Sequence, residues 1–319
     1  MKYVLITSAR NERAFVAKTL ESVAAQAQRP ECWVIVDDGS TDDTAEIVAQ
    51  YAENFSWITL IRNPRREGRS FAAKANAVNG ALAKIQNLDF DALGNLDADT
   101  SFDPDYMAFL MRKLAEDPKL GVVGTPFTQD GGYDSTRDSF EGENYVAGPI
   151  QLFRRQCWND IGGYIANPAG GVDWIAVMTA RMKGWGVRSF DDKRYHHHRS
   201  MGTAGRTDVA AMFSYGEKDY YLGNALAWQL FRVTYRLAKR PYIAGGLALF
   251  SGYCWAAVRR TKRPISPDLV RFHRADQMRK LSVILRSAFR LRKVDNFRLA
   301  GQKQSVASQE ARGGSNAIR

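Results

Sequence analysis

Short apolar runs alternate with amphipathic stretches over the first 125 residues. Five runs have the length and the β-forming side chains of strands, namely residues 3–6, 33–36, 57–61, 92–96 and 121–124. Between them, apolar side chains recur at helical spacing in residues 15–24, 47–51 and 77–85. Because strands and helices alternate, the pattern predicts a parallel-type α/β sheet, whose ligands bind beyond the carboxyl ends of the strands.

The spacing of apolar positions becomes irregular over residues 131–171, and the strand–helix alternation of the first 125 residues does not continue beyond residue 198. The pattern predicts strands at 149–154 and 186–190 and a helix at 174–183 between them. An aromatic-rich helix at 223–237 precedes an uncharged stretch at Tyr242–Val258, and a basic amphipathic helix follows at 269–292. Residues 301–319 are rich in Gln, Ser, Gly and Ala and are expected to be a disordered tail.

Composition and charge indicate a folded protein with a basic C-terminal region. The chain is 45% apolar, which is enough for a large packed core. Residues 228–319 hold 20 Lys/Arg against 4 Asp/Glu, so the net charge of +11 is a property of this region. Three scattered cysteines indicate a reduced compartment. The apolar run at residues 1–7 is too short for a signal peptide, which favours the cytoplasm.

Polar residues follow the first two predicted strands. The first leads into Thr7, Arg10 and Glu12, and the second ends at Asp37 and Asp38. Two carboxylates at a strand end, beside a glycine that lets a ligand approach, are costly without a partner. They can accept the imide N–H of a uracil or the hydroxyls of a ribose. For the neighbouring Ser40, a capping box with Asp43 at the start of the second helix is the structural alternative.

Lys74 lies among small residues at the start of the third predicted helix. The positive end of a helix and an ammonium group together suit a diphosphate. The alternative, which these residues support equally well, is that Lys74 is a helix lysine exposed to solvent.

Asp97 and Asp99 follow an apolar strand, and alternate residues of a strand share a side. Two such carboxylates can hold one Mg²⁺ or Mn²⁺, with phosphate oxygens and water completing the shell. A D-x-D motif alone is weak evidence for a metal site, since it occurs often in loops. The apolar strand that precedes it strengthens the prediction here.

Asp173 comes ten residues after the Gly162-Gly163 turn, at the start of a predicted helix. As a general base it would deprotonate an acceptor hydroxyl. The alternative is a carboxylate that only caps the helix.

These segments together resemble the family 2 glycosyltransferases, and in particular the inverting enzymes of bacterial cell-surface polysaccharide synthesis. The resemblance implies their GT-A fold, a Rossmann-like mixed sheet flanked by helices. The resemblance covers roughly residues 1–198. It is carried by Arg10-Asn11-Glu12, Asp37 to Asp42, Ala73-Lys74-Ala75-Asn76, Asp97-Ala98-Asp99, Arg154 to Gly163 and Val172-Asp173.

The resemblance implies a donor site for a nucleotide-diphosphate sugar, with a UDP-sugar expected, formed by Thr7, Arg10, Glu12, Asp37, Asp38, Lys74 and Asp97. Within it, Glu12 and Asp38 would contact the nucleoside, and Lys74 would reach the base edge or the diphosphate. Asp97 and Asp99 would serve the ribose and an Mg²⁺ or Mn²⁺ ion. Asp173 would stand in the place of the catalytic base, and a single displacement would invert the anomeric carbon.

Two departures from the family pattern affect these expectations. The residue before Asp173 is usually Glu in the family and is Val172 here. The Q-x-x-R-W of processive synthases is absent, since Gln277 begins Q-M-R-K, and several clear membrane spans are missing. Transfer of one sugar to a saccharide or lipid-linked acceptor is therefore favoured over processive synthesis.

Three adjacent histidines, at residues 196–198, precede Arg199. On an extended chain they point alternately, which makes them a poor chelate. We expect His198 and Arg199 to close over the donor diphosphate, with a structural or surface role as the alternative.

Other functions remain open on the sequence. A nucleotidyltransferase would need a Gly-rich loop after the first strand, and residues 7–12 contain no Gly. A non-enzymatic protein that binds membrane or nucleic acid would use the basic region, but no nucleic-acid motif is recognisable there, so no nucleic-acid partner is expected.

The expected organisation is a GT-A catalytic domain at 1–200, with a nucleotide-sugar half at 1–125 and an acceptor half at 126–200. A helical, basic, membrane-associated region at 201–300 and the tail at 301–319 follow. Tyr242–Val258 and the helix at 269–292 predict peripheral or monotopic attachment to the anionic cytoplasmic face of the inner membrane. The alternative is a buried helical hairpin packed on the catalytic domain.

Overall fold

A computed structural model describes residues 1–65, 71–138, 140–199, 207–290, 295 and 297–298. Its strands are β1 (Tyr3–Ala9), β2 (Cys32–Asp37), β3 (Ile58–Arg62), β4 (Ala92–Leu96), β5 (Thr100–Ser101), β6 (Leu120–Gly124), β7 (Phe127–Gln129), β8 (Tyr133–Asp134), β9 (Ile150–Arg154), β10 (Gly186–Ser189) and β11 (Tyr195–His197).

The helices in the described part of the chain are α1 (Val16–Ala24), α2 (Thr44–Asn54), α3 (Phe71–Ile85), α4 (Tyr106–Glu116), α5 (Ser135–Asp138), α6 (Arg155–Ile161), α7 (Val172–Met182), α8 (Asp208–Tyr221), α9 (Leu226–Leu237), α10 (Tyr242–Val258) and α11 (Pro267–Phe289).

The main sheet has seven strands in the order β10-β6-β9-β4-β1-β2-β3. All are parallel except β9, which pairs antiparallel with both β4 and β6. A second sheet has the order β5-β11-β7-β8 and packs beside the carboxyl end of β4. The predicted mixed sheet flanked by helices is thereby confirmed.

Both faces of the main sheet are buried, which explains why its strands are apolar without alternation. In β1, Tyr3 and Leu5 join one hydrophobic cluster with α1 and α4. Val4 and Ile6 join a second cluster with α3, α6 and α7 on the opposite face. The seven strands of this sheet all match predicted runs to within three residues at each end.

The sequence pattern missed the second sheet and the helices α4, α5, α6 and α8. The four strands of that sheet are two or three residues long, so they are too short to show a periodicity. In α8, glycine and polar residues interrupt the apolar stripe. The predicted tail at 301–319 lies outside the described residues.

The C-terminal helices are held together by close backbone contacts. A Cβ placed on Gly216 of α8 would lie 2.0 Å from the Leu249 carbonyl oxygen of α10. A Cβ on Gly252 of α10 would lie 2.0 Å from the Phe213 carbonyl oxygen of α8. Glycine at these crossings therefore lets the two backbones touch.

The expectation for the basic helix at 269–292 needs correction. Leu269 and Val270 of α11 are buried in a cluster with Trp174 of α7 and Tyr221 of α8. The apolar side of the first half of α11 thus packs on the catalytic half of the chain, and its other side is exposed. None of the described helices is both long enough and apolar enough to cross a membrane.

Candidate active site

The carboxyl ends of β1, β2 and β4 lie side by side because these strands are parallel neighbours. They bring together Glu12 after β1, Asp37 and Asp38 at the end of β2, and Asp97 after β4. Arg10 follows β1 at the same edge. Asp37 and Asp38 are 5% and 6% exposed. These residues therefore lie at the carboxyl ends of neighbouring parallel strands, where the sequence analysis expected them.

Thr7 is placed differently from the prediction. It is 1% exposed, and its Oγ1 accepts a hydrogen bond from Trp33 Nε1 at 3.0 Å. The Thr7 hydroxyl is therefore engaged in the core, and a contact between Thr7 and the donor stays a prediction.

The capping box predicted for Ser40 is wrong. Helix α2 begins at Thr44, and its N-cap is Asp43, whose side chain makes no capping hydrogen bond. Ser40 Oγ instead accepts from the Asn11 backbone N–H at 3.0 Å, and the Ser40 N–H donates to Asp37 Oδ1 at 3.3 Å. Ser40 therefore fastens the turn after β1 to the turn after β2.

Asp97, Asp99 and His197 each offer one ligand atom, and these atoms lie within 4.8 Å of one another. His197 Nε2 lies 3.3 Å from Asp99 Oδ1, and Lys74 forms an ion pair with Asp97. Asp99 and His197 are buried, whereas Asp97 is half-buried. We call these three residues the carboxylate–imidazole cluster. Within the described ranges it is the one group of this kind.

The charges in and around the carboxylate–imidazole cluster move the pKa values of its carboxylates in opposite directions. Burial raises the pKa of Asp97, and the nearby Asp99 adds to this against the lowering effect of Lys74. Burial also opposes ionisation of Asp99, but the hydrogen bond from His197 and the charge of Arg199 outweigh it and lower the Asp99 pKa. Burial likewise opposes the charge on Lys74, but the Asp97 carboxylate outweighs it and raises the Lys74 pKa. Asp99 is thus the carboxylate best prepared to carry charge.

Gln129 fixes the orientation of the His197 ring. Gln129 Nε2 donates to the Arg199 carbonyl oxygen at 2.7 Å and lies 2.7 Å from His197 Nδ1. Since this amide nitrogen can only donate, Nδ1 accepts and the ring proton is on Nε2, facing Asp99. For Nε2 to bind a metal ion, the proton must move to Nδ1 and the Gln129 amide must turn.

Arg199 connects Glu12 to the carboxylate–imidazole cluster. Its guanidinium pairs with Glu12, and its Nε lies 3.4 Å from Asp99 Oδ2. Burial, reinforced by Asp99 and opposed by Arg199, raises the pKa of Glu12 to about 7. His198 instead lies with its Nε2 2.9 Å from Ser101 Oγ, and its ring stacks on that of Phe15.

Asp173 lies in the first turn of α7, whose N-cap is Gly171. A role as the helix cap alone is therefore not supported. Tyr145 Oη donates to Asp173 Oδ2 at 3.1 Å, and burial with the Asp173 charge raises the Tyr145 pKa, so it stays a donor. A Cβ on Gly148 would lie 2.7 Å from Asp173 Oδ2, so only glycine leaves room for this carboxylate.

Three residues of this arrangement were missed in the sequence: His197, Gln129 and Tyr145. His197 is one of three adjacent histidines, and only the register of β11 beside β5 shows which of them faces Asp99. Gln129 and Tyr145 lie in the region where the hydrophobic pattern loosens, and no motif marks them.

The fold and the cluster define a mixed α/β protein with a carboxylate pair at the edge of its main sheet. The model of the family "Glycosyl transferase family 2" matches residues 4–167, just over half of the chain. The chain therefore belongs to this family, as the resemblance implied.

Relatives of established name match a smaller part of the chain. Poly-beta-1,6-N-acetyl-D-glucosamine synthase of Staphylococcus aureus (strain COL) is 34% identical over 117 residues. The synthase of that name from Staphylococcus epidermidis is 34% identical over 119 residues. Each match covers 36% of this chain and 26% of the relative, so about a quarter of each relative is represented.

Solved structures share the fold over almost the whole chain. TarS 1-349 of S. aureus, solved with UDP-GlcNAc, has a TM-score of 0.53 and 17% identity, covering 96% of this chain and 92% of its own. The mannosyltransferase PcManGT of Pyrobaculum calidifontis, solved with GDP-Man and Mn²⁺, has a TM-score of 0.52 and 19% identity, covering 95% and 84%. At these identities the likeness concerns the fold alone.

Proposed function

We propose that the protein transfers one sugar from a nucleotide-diphosphate donor, with a UDP-sugar expected, to a hydroxyl of a saccharide or lipid-linked acceptor. The observation that carries the proposal is the carboxylate–imidazole cluster, which lies beside Lys74 at the strand ends where a nucleotide is expected. The family and the nucleotide-sugar complexes of TarS and PcManGT support a donor of this class.

The donor set fits a divalent cation. Two carboxylates and an imidazole suit Mn²⁺, and the carboxylates alone suit Mg²⁺. Asp97, Asp99 and His197 would hold the ion, which when bound supplies positive charge against the diphosphate of the leaving group. Lys74 adds a second positive charge there, and Arg199 neutralises Glu12 at the rim.

Asp173 is the proposed base. Its Oδ2 is oriented by Tyr145 and rests against the bare backbone of Gly148, which leaves the other carboxylate oxygen for an acceptor hydroxyl. The acceptor oxygen attacks the anomeric carbon as its proton passes to Asp173, and the bond to the diphosphate oxygen breaks. A single displacement inverts the anomeric configuration, and we assign no second carboxylate as a nucleophile.

A processive polysaccharide synthase is the second candidate, because the relatives of established name are polymer synthases. The missing Q-x-x-R-W favours single transfer. Product length distinguishes the two: single addition gives an acceptor heavier by one sugar, whereas a ladder of masses would establish processive synthesis.

The decisive experiment is a donor screen. Hydrolysis of UDP-, GDP- and dTDP-sugars is followed with Mg²⁺, with Mn²⁺ and in EDTA, using the full chain. We expect one nucleotide class to be hydrolysed and EDTA to abolish the reaction. No hydrolysis and no metal-dependent nucleotide binding would support the non-enzymatic alternative.

A further inference from the structure

Helix α10 presents one apolar side to solvent. Ile243, Leu247, Trp255 and Val258 are 65%, 58%, 44% and 79% exposed, and their spacing puts them on one side of the helix. The opposite side carries the glycines that pack on α8. The inner side of α10 packs against α8, whereas the outer side has no described partner within the chain.

Helix α9 extends this surface. Leu226 and Leu230 are 57% and 47% exposed, one turn apart on the same side. The two helices are in contact, since a Cβ on Gly246 of α10 would lie 2.6 Å from Leu237 Cδ2 of α9. We call the combined surface the apolar face; it consists of Leu226, Leu230, Ile243, Leu247, Trp255 and Val258.

The charge around the apolar face has one sign. Residues 220–267 contain eight Lys/Arg and no Asp or Glu. Arg240, Arg259, Arg260 and Lys262 are exposed at the two ends of α10, and none of them forms an ion pair within the described residues. The Arg259 guanidinium lies 4.2 Å from the Trp255 ring centroid. Unpaired cations at the border of an apolar surface complement a bilayer with anionic headgroups.

We propose that the apolar face is a docking surface for an anionic lipid bilayer, with α9 and α10 lying in the plane of the interface. A 17-residue helix is about 25 Å long, too short for the roughly 30 Å of a hydrocarbon core, so α10 lies on the membrane. Helix α11, which the sequence suggested as the interfacial helix, is held to α7 and is not part of this surface. The proposal does not rest on the transferase reaction.

Flotation of the full chain with vesicles is the test. Vesicles of phosphatidylcholine with phosphatidylglycerol are compared with phosphatidylcholine alone, at low and high salt. Leu247→Asp should abolish flotation with the anionic vesicles. The matched control is Leu285→Asp on α11, where Leu285 is exposed to 47% but lies outside the apolar face; it should float like the unchanged protein.

Neutralising the basic border gives an independent measurement. Each basic residue near an anionic surface strengthens binding about fivefold, so Arg259→Gln, Arg260→Gln and Lys262→Gln together should weaken it on the order of 100-fold. Thermal unfolding of each variant confirms that it is folded. Failure of the unchanged protein to float at low salt, or equal flotation of Leu247→Asp, would overturn the proposal. A lipid-free dimer in light scattering that Leu247→Asp dissociates would also overturn it, since a second copy would then cover the face.

Discussion

Replacing Asp173 with asparagine separates basicity from shape at the proposed acceptor side. The amide has nearly the same volume, so it still fits against Gly148, and its oxygen can still accept from Tyr145 Oη. What is lost is the ability to take a proton. Removing a general base lowers turnover by about 10²- to 10⁴-fold, which corresponds to roughly 3–5 kcal/mol on the barrier.

The assay combines turnover with donor binding. Asp173→Asn should bind the nucleoside diphosphate with the affinity of the unchanged enzyme in calorimetry, because the carboxylate–imidazole cluster is intact. Tyr145→Phe serves as the graded control. It removes one hydrogen bond to the carboxylate, worth about 1.5 kcal/mol, and should slow turnover about tenfold while keeping the base. Loss of donor affinity in Asp173→Asn, or turnover within tenfold of the unchanged enzyme, would refute the assignment.

Three further predictions concern metal, pH and packing. Asp99→Asn should abolish transfer and weaken metal-dependent nucleotide binding in calorimetry with little change in the unfolding midpoint; full activity of this variant in EDTA would contradict the metal site. The pKa of Glu12 is raised from 4.5 to about 7, so between these pH values the folded state binds more protons than the unfolded state. The free energy of unfolding therefore falls as the pH rises through this window, by roughly 3 kcal/mol in total. In urea denaturation without metal, Glu12→Gln should lack this decline, and parallel pH curves for the two proteins would count against it. Gly252→Ala should destabilise the protein by about 3 kcal/mol or more, because its Cβ would lie 2.0 Å from the Phe213 carbonyl oxygen. In the same denaturation experiment Gly80→Ala, which meets nothing within 4 Å in α3, should be neutral or stabilising.

The main sheet could be predicted from the sequence because each of its strands is a continuous apolar run, and helices of clear periodicity separate the first four. Strand ends then placed Asp37, Asp97 and Asp99 at one edge, since parallel strands share their polarity. The family match confirms the resemblance that was carried by these motifs. The roles assigned to the individual residues stay predictions.

The rest depended on contacts between distant segments, which a local pattern does not encode. The choice of His197 over His198 follows from the pairing of β11 with β5, two strands too short to recognise. Thr7 looked like a strand-end residue, but its side chain points to the Trp33 indole. Likewise, the basic composition of α11 suggested exposure, although every third or fourth residue of its first half is buried.

The burial of α7 has a consequence for modular engineering of this chain. The family match ends at residue 167, and a cut near residue 200 would look natural. Yet Trp174, Ile175 and Met178, on the helix that carries Asp173, are covered by side chains from α8 and α11. Exposing each of these side chains to solvent would lower the free energy of unfolding by about 1.5–3 kcal/mol. A chimera that exchanges the C-terminal helices between relatives would therefore keep its proposed base in place only if α7 were exchanged with them.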